Sequence, residues 1–151
     1  MTAPAKTEPK MNPNKKDLHV VELLQKSIRT GNPCLDFSYE RLGDAGAMFL
    51  ARRKDLSHVT QLNLSWNELT SKGVEVLAQC SSLGSLTTLI LDANRIGFEG
   101  MSALASAQGL PALSELNMKY NLMDPQGLEL LHESTKLNSK RVLKYDGPRE
   151  D

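Results

Sequence analysis

Two hydrophobic rhythms alternate along the chain. In residues 89–105, LILDANRIGFEGMSALA, the run Leu89-x-Leu91-x-x-Asn94-x-Ile96 alternates like a strand entering a turn. Met101, Leu104 and Ala105 then recur at the spacing of one helix face. The same succession returns with a constant period of 27 and no gaps over Asn32–His58, Val59–Ser85, Leu86–Ala112 and Leu113–Ser139. Aligned on that period, one apolar column holds Leu35, Leu62, Leu89, Leu116 and Leu143, and the next holds Phe37, Leu64, Leu91, Met118 and Tyr145. Asn67, Asn94 and Asn121 form a polar column, with Glu40 in its first place; Leu42, Leu69, Ile96 and Met123 follow it. Gly46, Gly73, Gly100 and Gly127 recur unchanged, as do the leucine columns at 50, 77, 104, 131 and at 56, 83, 110, 137. Each unit therefore predicts a short strand, a turn, a helix and a return loop.

The column Gly43, Thr70, Gly97, Asp124 holds residues suited to a helix N-cap, and Pro125 follows Asp124 at the first helical position. Ala47, Val74, Met101 and Leu128 should be buried by the helices, and the alanines at 51, 78 and 105 fit helices lying close over their strands. The asparagine column breaks the strand alternation. It is expected to turn inward and bond backbone groups that burial would otherwise leave unpaired.

The ends differ from the middle. Residues 17–30, DLHVVELLQKSIRT, predict an amphipathic helix with Asp17 as N-cap and Leu18, Val21, Leu24 and Ile28 on one face. Lys26 and Arg29 suit its last turn, and Gly31 with Pro33 ends it. A helix this short needs a surface to dock on, and the first unit offers one. Residues 1–16 contain no Leu, Ile, Val or Phe, but three prolines, four lysines and one glutamate. They are expected to be a flexible tail, either a solubilising end or an export address. A final strand in 140–146, charged by Lys140, Arg141 and Lys144, should close the array and discourage pairing at its edge; residues 147–151 are a C-terminal tail.

The pattern Leu-x-x-Leu-x-Leu-x-x-Asn-x-Leu resembles the leucine-rich repeat family over residues 32–146. The unit tails LGDAGAMFLA and IGFEGMSALA look like its ribonuclease-inhibitor-like subclass, which includes Ran GTPase-activating proteins, NOD-like receptor sensors and bacterial effectors. The resemblance implies an α/β leucine-rich-repeat solenoid. Its short parallel strands would lie on the concave face and its helices on the convex face, with the helix at 17–31 as an N-terminal cap. It says little about function.

Composition narrows the choice. Eighteen Lys and Arg balance 18 Asp and Glu, so the basic surplus of a nucleic-acid binder is missing. No apolar run approaches the roughly 18 residues that span a bilayer, and the first residues lack the apolar stretch expected of a secretory signal. Cys34 and Cys80 are too few for a disulfide framework. A cytoplasmic monomer is expected, with export without a cleaved signal as the alternative. Candidate chemistry is sparse. His19, His58 and His132 occupy unrelated contexts (the cap helix, an exposed loop column and a terminal position), and none has a thiol or carboxylate at metal-ligand spacing. The glycines of GDAG and GFEG are turn and helix-start positions rather than a phosphate cradle. RRKD (52–55) reads as a solvated helix terminus. No cofactor, metal or catalytic residue is expected.

Interest falls on the strand positions that should face the concave side. Their rows are Cys34, Gln61, Thr88, Glu115, Val142; then Asp36, Asn63, Ile90, Asn117, Lys144; then Ser38, Ser65, Asp92, Lys119, Asp146. Beside them runs Tyr39, Trp66, Ala93, Tyr120, which holds three of the seven aromatics. These rings either seal the strand-to-helix turn or anchor a partner, since Tyr and Trp are enriched at interface hot spots. The expected function is protein–protein interaction on the concave face, through Tyr39, Trp66 and Tyr120 with Asp36, Asn63, Ile90, Asp92, Glu115, Asn117 and Lys119. The partner would be a protein, not a nucleic acid or a membrane. The alternative is regulation of a small GTPase or other enzyme, as in the Ran GTPase-activating members, including delivery as a secreted bacterial effector.

Overall fold

A computed structural model describes residues 15–137 and 142–146. The two tails, apart from Lys15 and Lys16, lie outside the described residues, as do Lys140 and Arg141 and the side chain of Leu137. An N-terminal helix α1 (Lys15–Thr30) is followed by five strands, β1 (Cys34–Asp36), β2 (Gln61–Asn63), β3 (Thr88–Ile90), β4 (Glu115–Asn117) and β5 (Val142–Lys144). Helices α2 (Gly43–Ala51), α3 (Ser71–Ala78), α4 (Phe98–Ala105) and α5 (Pro125–Leu137) fall between them, and a 3₁₀ turn (Ser81–Leu83) follows α3.

The strands form one parallel sheet in chain order. Its register is the sequence period: Leu35 pairs with Leu62, Leu62 with Leu89, Leu89 with Leu116 and Leu116 with Leu143. With three residues per strand, only the central leucine points at the helices and the flanking residues stand on the other face. The leucine columns at 50, 56, 62, 77, 83, 89, 104 and 110 are closed off from solvent, together with Phe37, Leu64, Leu91 and Met118. Burying one such side chain contributes about 1.5–3 kcal/mol, so the layer between sheet and helices is the principal source of stability.

The asparagine column turns inward as a ladder. Asn67 Oδ1 accepts from Leu42 N, Asn94 Oδ1 from Leu69 N and Asn121 Oδ1 from Ile96 N, at 3.1, 3.0 and 3.0 Å. Their amides donate back to Phe37 O, Leu64 O and Leu91 O at 2.8, 3.0 and 2.8 Å. Each asparagine thus joins its own turn to the preceding unit. Glu40, which takes the first place in the column, instead pairs with His19 of α1 at 3.1 Å.

Several expectations are corrected. Helix α1 starts at Lys15, so Asp17 lies inside it rather than at its cap. Its buried stripe is Val20, Leu24 and Ser27, with Leu23 packed alongside, while Leu18 and Ile28 are 50% and 42% exposed. Two apolar stripes share Leu24, and the buried one is flanked by polar contacts: His19 meets Glu40 and Ser27 Oγ lies 3.2 Å from His58 Nε2. His58 is therefore half-buried against the cap rather than in an exposed loop. Gly31, at φ +64°, ends the helix as expected.

Capping also differs from the expectation. Thr70 and Gly97 precede α3 and α4 in extended conformation, and Asp124 Oδ1 accepts from Gly127 N at 2.9 Å. Gly43, however, is itself the first residue of α2, at φ +57°. Asp44 of that helix reaches across to the next unit instead. Its Oδ1 accepts from Thr70 N and Gly73 N at 2.8 and 3.1 Å, and its Oδ2 accepts from Thr70 Oγ1 at 2.6 Å. The repeated glycines lie in the first helical turns, where a side chain has no room. A Cβ on Gly100 would stand 2.6 Å from Ile96 Cγ2 and 3.2 Å from Ser71 Cα.

Candidate functional site

The aromatic row stands where the strands turn toward the helices, and the backbone there is unusual. Tyr39, Trp66, Ala93 and Tyr120 have φ of 63°, 58°, 53° and 58°, and Arg41 and Glu68, two residues after the first two, are at 52° and 59°. This left-handed region favours glycine and asparagine. Pairing with the next unit holds the row in it. Tyr39 N donates to Ser65 O, Trp66 N to Asp92 O and Ala93 N to Lys119 O at 3.0, 3.0 and 2.7 Å, and Tyr120 N donates to Asp146 Oδ2 at 2.8 Å. The chain thus carries large rings where glycine would be less strained.

Those rings are open to solvent: Tyr39 is 69% exposed, Trp66 52% and Tyr120 62%. Tyr39 and Trp66 stack, with centroids 5.5 Å apart and planes 11° from parallel. Together with Arg41, Glu68, Ala93, Asn94, Arg95 and Tyr120 they line a shallow groove of about 530 Å³. Arg41, Glu68 and Arg95 were not among the residues expected at a site. The signal was in the sequence, since they repeat two positions after the row, but nothing in the pattern alone aims them at the rings.

The remaining expected residues divide. Asp36 and Lys119 are exposed, whereas Asn63, Ile90, Asp92, Glu115 and Asn117 are half-buried. Most of their polar groups are engaged within the sheet. Asp36 Oδ1 accepts from Ser38 N, Asn63 Oδ1 from Ser65 N and Oγ, and Asp92 Oδ1 from Lys119 N. Glu115 pairs with Lys144 at 2.6 Å. Asn117 Oδ1 is enclosed and has no partner. Ser65, expected to face outward, is buried by its bond to Asn63. The open face of the sheet is therefore braced by its own side chains, and the exposed aromatic groove lies beside it.

Elsewhere the side chains serve the scaffold. His132 Nε2 lies 2.9 Å from Tyr145 Oη, with the rings edge-on at 5.5 Å. Cys34 is exposed and Cys80 buried, both as free thiols. The RRKD segment, with Arg52 and Lys54 exposed, carries an ion pair not expected from the sequence. Arg53 forks onto Asp55 and lies 6.0 Å from the Phe49 ring centre. The bonded guanidinium holds the Asp55 carboxyl below the usual carboxylate range, against partial burial. The pair's stabilising contribution is then present above about pH 4 and fades as pH falls through the lowered value. Among the described residues no three His, Cys, Asp or Glu side chains gather into a metal-holding group, and no helix is long and apolar enough to cross a membrane.

A family model described as leucine-rich repeat matches residues 55–78 and 85–105. No match to a curated protein sequence was found. Two solved structures share the fold. A leiomodin-1 actin-binding site 2 (ABS2) structure aligns with a TM-score of 0.64 and 18% identity, covering 89% of this chain and 81% of that one. The tropomodulin C-terminal domain of Caenorhabditis elegans aligns with a TM-score of 0.65 and 13% identity, covering 86% and 84%. The matched repeats, the parallel sheet in a 27-residue register and these neighbours give the chain an α/β leucine-rich-repeat fold.

Proposed function

We propose that this is a non-enzymatic protein-recognition module whose partner docks on the concave face, anchored along the rim by Tyr39, Trp66 and Tyr120. One observation carries the reading: three large rings occupy strained, left-handed backbone positions and are more than half exposed. A bulky residue in that region is a steric liability, and exposed rings gain little burial in the folded chain. A binding role accounts for both. The stacking of Tyr39 on Trp66 preorganises two of the anchors and lowers the ordering entropy of binding. The leiomodin-1 structure of similar fold is an actin-binding site, which supports partner binding as a use of this scaffold.

The working unit in this reading is the array 32–146, capped by α1 and acting as a monomer in the cytoplasm. Helices of eight or more residues in every unit support the ribonuclease-inhibitor-like subclass. Asn67, Asn94 and Asn121 are spent on the backbone, which removes support for a GTPase regulator that would borrow one of them as a donor. The test is affinity capture with mass spectrometry on wild type and on Trp66→Ala with Tyr120→Ala. The single Trp66→Ala change should cost about 2 kcal/mol in affinity with little change in thermal unfolding, and the double variant should lose its partners. Retention of the same partners by the double variant removes the rim as the site.

A further inference from the structure

The aromatic row is interrupted once. Tyr39 and Trp66 are stacked, Tyr120 lines the same groove two units further on, and between them stands Ala93 in the same backbone conformation. Adjacent strands lie about 4.8 Å apart, so Trp66 and Tyr120 are separated by roughly twice that. A flat ring placed over Ala93 would sit about 5 Å from each neighbour, inside the 4.5–7 Å range of favourable ring pairs. One face of Trp66 is taken by Tyr39. Ala93 lies on the other side of Trp66 along the row, away from Tyr39.

We infer that the gap over Ala93 receives an aromatic side chain from a partner peptide, which completes the stack between Trp66 and Tyr120 while an adjacent acidic residue pairs with Arg95. This rests on the reading of the rim as a partner surface. The charge pattern selects the acidic neighbour. Arg95 lines the groove and is exposed, so its guanidinium favours an anionic residue beside the inserted ring. Arg95 lies two positions after Ala93, within reach of a side chain flanking the insertion. An inserted ring also requires no rearrangement of the scaffold, because its neighbours are already exposed and held by inter-unit bonds.

The repeats themselves supply the test. Ala93→Tyr introduces a residue that the equivalent positions 39 and 120 already hold at φ 63° and 58°, so it should fold while filling the gap. The probe is a displayed library of random dodecapeptides panned on the full chain. Enriched peptides should carry Phe, Tyr or Trp with Asp or Glu within a few positions, and a synthetic Phe-bearing winner should shift the emission of Trp66, the sole tryptophan. Ala93→Tyr should weaken that peptide roughly tenfold or more with unfolding unchanged. Arg95→Gln should weaken it less, and that loss should shrink as salt rises. The inference is overturned if no peptide is enriched or the winners lack an aromatic residue. Equal affinity for Ala93→Tyr, or preference for a single-stranded oligothymidine, would overturn it too. If Trp66→Ala abolishes binding and Ala93→Tyr does not, only the gap is wrong and the rim reading survives; indifference to both removes both.

Discussion

Asn94 shows what one side chain does in this molecule. Its Oδ1 accepts from Asn67 N and Leu69 N, and its Nδ2 donates to Leu64 O, Leu91 O and Asp92 O, all with the residue buried. Removing the amide would strand several backbone groups away from water, each costing about 1–3 kcal/mol. Asn94→Ala is therefore expected to destabilise the chain by about 3 kcal/mol or more in urea unfolding. Asn121→Ala should cost less because its site is half open. Equal losses at the two positions would show that burial does not set the effect. The rim residues behave oppositely: their rings stabilise little, and their backbone is held by bonds to the next unit.

At the scale of elements, packing between successive units is set by what is absent at three glycine positions. Gly73, Gly100 and Gly127 each face the unit before their own, and at Gly100 that neighbour is the backbone of Ser71, with Ile96 of its own unit on the other side. Gly100→Ala is expected to cost about 1–3 kcal/mol despite alanine's better helix propensity, which a thermal melt would measure. A stabilised variant would mean that α3 and α4 can move apart freely. The same closeness lets Asp44 cap α3 from α2, so the start of α3 is satisfied from the neighbouring unit as well as by its own Thr70. A glycine column and an N-cap column were legible in the sequence; that the cap of one helix sits in another was not, because the two residues are 26 positions apart.

For the whole molecule, stability is a sum of units and their interfaces, with the cap helix closing one end. Leu24 is the buried centre of that closure and His19 and Ser27 are its polar edges. Leu24→Ala should cost about 2–5 kcal/mol locally. Hydrogen exchange should then show β1 and β2 losing protection while β3 and β4 keep theirs. Uniform loss across all strands would instead show one cooperative block.

Residues that repeat contribute to one contact many times over. The register, the leucine layer and the asparagine ladder could therefore be read from a period of 27, since each contact joins equivalent places in adjacent units. The features that tertiary structure alone decided are those that break or exceed this symmetry. Helix α1 has two apolar stripes that share Leu24, and the buried one is flanked by contacts to Glu40 and His58, residues brought near only by folding. The left-handed turns contradict local propensity because bonds to the next strand outweigh the roughly 1–2 kcal/mol that each such residue resists. The stacking of Tyr39 on Trp66, and the gap at Ala93, exist because that turn geometry sets equivalent side chains one strand apart.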